Sequence, residues 1–157
     1  MRSKFEYQFE LLKQEIDVLQ NSIRAYDSMI MEVKKWAVAI YSGFLLVKLN
    51  NDNIDFIKYG IIGIFLFWLI DSILKSIQGR YIKRYSEIEN YFNSELFNES
   101  IKAENISNIR VPDISNQFKV TLELKIKDII KHGFRFHNYL LYLSMLLFSV
   151  ILWLTTK

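Results

Sequence analysis

The residue that most strongly suggests a function is Asp71, a carboxylate that ends the apolar run 59–70. An ionisable side chain at the edge of a membrane segment is energetically costly and is a functional candidate by default. In an antiparallel helical hairpin, Asp71 lies level with Lys34 and Lys35. We therefore predict an ion pair that holds the hairpin in register at the membrane interface. The alternative is a charge that lines an ion pathway.

Two further acidic residues, Asp52 and Asp55, lie in the short linker between the first two apolar runs. A ring of such carboxylates at the mouth of an oligomeric pore would favour cations. A solvated turn is the simpler interpretation, and we favour it. This linker is the only support for a constitutively open cation channel.

The sequence shows no pattern typical of catalysis or of metal binding. It has no cysteine, and its 2 histidines would point in different directions on one helix, about 140° apart for five residues. No phosphate-binding glycine loop or serine nucleophile motif is present. We therefore expect no enzyme, no metal at His132 or His137, and no cofactor. The net charge of +3 is mild and the basic residues are dispersed, so we also expect no nucleic-acid partner.

The first 35 residues carry an unbroken heptad stripe of apolar residues, which is typical of a coiled coil or a long helical hairpin. Two pairings are compatible with this stripe. We favour an intramolecular antiparallel pairing with the helix that follows the second apolar run, over a parallel coiled coil between copies. The candidate interaction stripe comprises Leu12, Ile16, Leu19, Ile23 and Ile30.

Three apolar runs are candidates for membrane spans, at 36–49, 56–74 and 136–155. A helical span needs about 20 apolar residues, so the third run is the clearest candidate and the first two are short. Lysines at the loop ends and aromatic residues near the predicted boundaries favour three spans. The main alternative is one span attached to a soluble helical domain.

The distribution of basic residues predicts the orientation. The linker between the first two runs has none, whereas basic residues precede the first run and follow the second. By the positive-inside rule, the N-terminus and the segment 75–135 are cytoplasmic in a bacterial inner-membrane protein. The predicted all-α organisation is a cytoplasmic helix at 1–35, a transmembrane hairpin at 36–74, a cytoplasmic helical segment at 75–135 and a third transmembrane helix at 136–155.

The cytoplasmic segment is predicted to be helical with one loop. The helical pattern after the second run continues to about residue 99, and the polar stretch 99–113 predicts a loop. The segment 117–127 alternates like a strand but also fits a helix. We predict a helix, because a lone strand would leave its backbone groups unpaired. Ser115 would cap the start of this helix, and Gly133 would adopt a left-handed conformation at its end.

A family resemblance follows from the end of the second run, which reads Phe67-Trp68-Leu69-Ile70-Asp71. Trp36 opens the first run, and a charged aromatic helix follows the second, with Arg80, Tyr81, Lys83, Arg84 and Tyr85. This combination resembles a family of small uncharacterised bacterial membrane proteins. The order of helix, hairpin and trailing helix is also similar to SLATT-type effector modules. The resemblance covers about residues 30–95 and carries over Asp71 alone.

The resemblance implies a pore-forming effector of bacterial conflict and antiphage systems. With the residue patterns, it predicts a small oligomeric inner-membrane protein that perturbs or permeabilises the membrane and is gated through its cytoplasmic helices. The expected partners are the lipid bilayer, further copies of the chain, and a soluble cytoplasmic signalling or sensor protein. The alternative is a non-conducting membrane anchor that recruits a soluble partner through the heptad stripe.

Overall fold

The computed structural model describes residues 3–50, 55–106, 109–119 and 121–155. These residues form five α helices and one short 3₁₀ helix, with no strand among them, which confirms the all-α prediction. The helices are α1 (Lys4–Asn50), α2 (Asp55–Phe92), α3 (Glu95–Lys102), α4 (Leu122–Gly133) and α5 (Phe136–Thr155). The 3₁₀ helix covers Ile114–Phe118.

Both long helices continue past the apolar runs. α1 passes from the heptad stripe into the first apolar run without a break, and α2 continues through Gly79. α2 ends at Phe92, earlier than the expected residue 99, because Ser94 is extended and its hydroxyl donates a hydrogen bond to the Tyr91 carbonyl at 2.7 Å. A serine side chain that bonds nearby backbone competes with helix continuation. The chain resumes a helical path as α3.

The segment 117–127 begins at the end of the 3₁₀ helix and becomes α-helical from Leu122, where α4 begins. Ser115 lies inside the 3₁₀ helix, so its prediction as the cap of the following helix was wrong. The prediction of a left-handed Gly133 was also wrong, since this residue closes α4 and has no positive φ. Close packing against Ser72 and Trp68 of α2 requires a glycine at this position.

The chain divides into two compact units, to each of which α1 and α2 contribute. The first unit comprises residues 1–26 and 77–121, and the second comprises residues 27–76 and 122–157.

The core of the first unit is built on the heptad stripe. Leu12 and Leu19 of α1 are fully buried against Ile88 and Tyr91 of α2 and against Ile106 from the following loop. Residues seven apart lie on the same face of a helix, so this regular spacing yields a continuous seam. The stripe is therefore covered by residues of its own chain.

A buried ion pair fixes the loop of the first unit to its helices. Glu15 accepts two hydrogen bonds from Arg84, at 2.9 and 3.2 Å, and both side chains are buried. The same guanidinium donates to the Arg110 carbonyl at 2.6 Å, and the Asp113 amide donates to Glu15 at 3.0 Å. Burial opposes the charged form of Arg84, but the Glu15 carboxylate outweighs this effect and the pKa of Arg84 is raised. The pair therefore remains charged and fully hydrogen-bonded.

The core of the second unit joins α1, α2 and α5. Tyr41 and Ile64 pack with Tyr142 and Met145. The Tyr41 hydroxyl donates to the Met145 carbonyl at 2.9 Å and lies 2.8 Å from the Ser149 hydroxyl. These hydrogen bonds satisfy polar side chains among apolar helices, as a water-free environment requires.

Two of the described helical stretches are long and apolar enough to cross a membrane, Ile57–Phe92 and Asn138–Thr155. Only 28% and 22% of their most apolar windows are buried inside the protein, whereas the core helix of a soluble protein is mostly buried. The run 36–49 does not reach this length and hydropathy, since its charge-free part ends before Lys48. The exposed apolar side chains include Ile62, Phe65, Leu66 and Ile70 of α2 and Leu140, Leu147, Phe148 and Ile151 of α5.

Replacing Leu19 tests the core of the first unit. We expect Leu19→Ala to lower the free energy of unfolding by about 2–5 kcal/mol, because it leaves a cavity beside Ile88. Val18→Ala is the matched control, since Val18 is 50% exposed on the same turn of α1 and should change stability by at most about 0.5 kcal/mol. Chemical unfolding in detergent micelles, followed by circular dichroism, measures both. Equal losses would contradict the burial of the stripe.

Candidate functional site

The candidate site is centred on Asp71, which α2 places in the interior of the second unit with 1% of its surface exposed. The Lys34 ammonium of α1 lies 3.7 Å from Oδ2, within ion-pair range. The charge of Asp71 is therefore opposed by a cation on the neighbouring helix.

A third helix contributes a polar group to this site. The Tyr142 hydroxyl of α5 is buried beside the Asp71 carboxylate. Lys75, one turn after Asp71 on α2, adds a second positive charge and forms an ion pair with Asp27 at 3.7 Å. We call Asp71, Lys34, Lys75 and Tyr142 the Asp71 cluster.

Of the two lysines predicted to pair with Asp71, the structure brings only Lys34 to it. Lys35 instead pairs with Glu32 at 2.8 Å, and both of these side chains are exposed. Adjacent residues on an α helix point about 100° apart, so only one of the two lysines can face α2. The prediction for Lys35 as a hairpin partner was therefore wrong.

The predicted linker charges cannot be placed. Asp52 lies outside the described residues, and Asp55 begins α2 with a side chain that also lies outside them.

The five residues of the interaction stripe are distributed over both units. Leu12 and Leu19 are buried in the first unit, and Ile30 is buried in the second. Ile16 and Ile23 are partly buried, and Ile16 packs on the core of the first unit. A partner protein would have to displace the chain's own helices to reach this stripe. The anchor hypothesis stays an alternative prediction, in which a partner competes with these contacts.

A close packing contact holds α2 next to the corner between α4 and α5. The Trp68 indole donates a hydrogen bond to the Gly133 carbonyl at 3.1 Å. A Cβ on Gly133 would lie 2.5 Å from the Ser72 hydroxyl oxygen and 2.8 Å from Cζ2 of Trp68, so only glycine fits without displacement. Because Trp68 and Ser72 flank Asp71 on α2, this contact also positions the Asp71 cluster.

The corner itself is stabilised through His132. The Asn138 amide donates to the His132 carbonyl at 3.1 Å, and the imidazole is buried. Burial, followed by the positive charge of Arg135, lowers the pKa of His132. The imidazole is therefore neutral at neutral pH and adds no charge to the site. No group of three or more carboxylates or histidines suited to a metal ion occurs within the described residues.

Two features of the site were missed by sequence reasoning. Tyr142 was treated as part of an apolar span, although a tyrosine one turn inside a span is deeper than the usual interfacial position. The contact of Gly133 with Trp68 has no signal in the sequence, because it depends on how closely two helices approach.

No protein-family model, curated protein or solved structure matches the chain. The site is therefore interpreted from its own chemistry. An ionisable residue paired with a lysine in an apolar environment is a candidate functional site by default.

Replacing Gly133 tests the helix corner. We expect Gly133→Ala to destabilise the second unit by about 1–3 kcal/mol, because the added methyl group overlaps Trp68 and Ser72. Gly43→Ala is the control: its Cβ would meet nothing within 4 Å, so alanine should be neutral or stabilising by up to about 1 kcal/mol. Amide hydrogen exchange should rise in α4 and at the start of α5 for the first variant only. Unchanged exchange would contradict the packing.

A double-mutant cycle tests the ion pair. Lys34→Met should cost about 3–5 kcal/mol, because it leaves the Asp71 carboxylate buried without its closest described counter-ion. The double variant Lys34→Met/Asp71→Asn should regain most of this loss, since no charge then remains uncompensated. Lys35→Met should change stability little because Lys35 is exposed. Strictly additive losses in thermal unfolding would show that Lys34 and Asp71 do not interact.

Proposed function

We propose that the protein is a multi-span, oligomeric protein of the bacterial inner membrane that permeabilises the membrane when activated. The observation that carries the proposal is the Asp71 cluster. Asp71 is buried in the interior of the second unit, Lys34 lies 3.7 Å from its Oδ2, and the Tyr142 hydroxyl is buried beside it. A carboxylate held against a lysine and a tyrosine in a membrane segment is costly, and this cost supports a role in conduction or gating.

The proposed arrangement places α2 and α5 across the membrane and uses the run 36–49 of α1 as a third, short span. The exposed apolar side chains of α2 and α5 support this placement. Basic residues flank these runs on one side, which favours a cytoplasmic N-terminus. A short span mismatched to the bilayer favours association with other copies or local thinning.

In this proposal Lys34 keeps the pathway closed. Its ammonium opposes the Asp71 charge across the interface between α1 and α2. A soluble partner that shifts α1 along α2 would move Lys34 relative to Asp71. The carboxylate would then be free to attract water and cations. The role in antiphage defence comes from the resemblance to SLATT-type modules.

The experiment compares a substitution that removes the positive charge of the ion pair with one that removes its negative charge. Membrane potential and uptake of a membrane-impermeant dye are followed after induced expression in a bacterium, at matched membrane levels of each variant. Lys34→Met should increase depolarisation above wild type, because the closing counter-charge is lost. Asp71→Asn should abolish depolarisation, because the attracting charge is lost. Lys35→Met should behave as wild type.

The direction of the two effects distinguishes gating from a structural role. If Lys34→Met and Asp71→Asn reduce activity together, in proportion to lost folded protein, the pair only stabilises the fold. Liposomes that contain purified Lys34→Met protein and retain their dye as wild type does would also reject the proposal.

A further inference from the structure

A groove of about 520 Å³ lies between α2 and α5 in the second unit. All of its ten lining residues are apolar or aromatic, and they include Ile61, Phe65 and Trp68 of α2, Leu143 and Leu146 of α5, and Phe134 from the helix corner. The only indole N–H in the lining already donates to the Gly133 carbonyl, so Trp68 presents its ring to the groove. The volume is within the range of ligand sites, about 300–1,000 Å³.

We infer that this groove binds an acyl chain of an anionic phospholipid, whose headgroup lies against Lys131 and Arg135. Water is a poor occupant, because it needs several polar partners and the walls supply almost none. A helix of a second copy is also a poor fit. A helix with its side chains is about 10 Å wide, so the groove has room for only about one turn of it. An acyl chain is thin, flexible and apolar throughout.

Basic residues near Phe134 in the sequence select the headgroup. Phe134 lines the groove, and the exposed Lys131 and Arg135 lie on either side of it in the sequence. His132, between them, is buried and has a lowered pKa, because of burial and then the charge of Arg135, and it does not add to this charge. Basic residues at a membrane interface attract anionic lipid headgroups. This inference rests on the proposed membrane placement of α2 and α5 and is independent of permeabilisation.

Trp68 can report the occupant directly. The chain has 3 tryptophans, so Trp36→Phe/Trp153→Phe leaves Trp68 as the only one. This full-length protein is reconstituted in phosphatidylcholine bilayers that contain a small fraction of brominated phosphatidylglycerol or of brominated phosphatidylcholine, with bromine on the acyl chain. Because bromine quenches at contact, quenching of Trp68 measures how often each lipid occupies the groove. We expect phosphatidylglycerol to associate about tenfold more strongly.

Two substitutions with matched controls separate the headgroup from the acyl chain. Lys131→Gln/Arg135→Gln should remove the preference for phosphatidylglycerol, whereas Lys125→Gln/Lys127→Gln, also exposed on α4, should retain most of it. Leu143→Phe, which narrows the groove, should reduce quenching by both lipids. Leu147→Phe, which is exposed on α5 outside the groove, should not.

If both lipids quench Trp68 equally and Leu143→Phe does not change this, the inference is overturned. The protein then makes only ordinary contacts with lipid. Rapid disulfide formation between copies that carry Leu143→Cys in this cysteine-free chain would overturn it in favour of a second copy. A lipid preference in protein that fails to depolarise cells would reject the proposed function alone. Depolarisation by protein without the preference would reject only the lipid site.

Discussion

The second unit depends on the balance between a partly exposed ammonium and a buried carboxylate that lie 3.7 Å apart. Removing either charge from water is costly, and their attraction recovers this cost only in a narrow range of geometries. A shift of one helical turn would move Lys34 by about 5.4 Å relative to α2 and separate Asp71 from its closest described counter-ion. The ion pair therefore disfavours other registers of α1 and α2 more than it adds to stability. The contact between Gly133 and Trp68 further restricts the position of α2.

The first unit contains a second buried ion pair, whose two side chains are hydrogen-bonded to each other and to a loop. Glu15 and Arg84 are as deeply buried as Asp71, yet their oxygens and nitrogens are engaged with each other and with the backbone of the loop. The chain therefore shows two kinds of buried charge, one tied to a loop by hydrogen bonds and one opposed by a lysine of a neighbouring helix at 3.7 Å. The second kind depends directly on the register of α1 and α2.

Periodicity predicted the parts of this protein that depend on which face of a helix a residue occupies. The seven-residue spacing of Leu12 and Leu19 anticipated a buried seam, and the position of Asp71 in a hairpin anticipated a lysine of α1 nearby. Spacing alone did not distinguish Lys34 from Lys35, because that choice depends on the rotation of α1 about its own axis. The role of Gly133 and the position of Tyr142 depend on distances between helices distant in sequence, which a linear pattern does not encode. The end of α2 was missed because a single hydrogen bond from Ser94 interrupts an otherwise continuous pattern.

The composition of the first unit has a consequence for biosynthesis. Its core joins Leu12 and Leu19 to Ile88, Tyr91 and Ile106, and the two apolar runs at 36–49 and 56–74 separate these partners in the chain. The N-terminal helix therefore leaves the ribosome long before the residues that cover it have been made. Contacts between such distant segments form slowly, and uncovered apolar surface is prone to association in the meantime. During translation the stripe is open to chaperones and to neighbouring nascent chains, and it closes only after the hairpin that interrupts the unit has been synthesised.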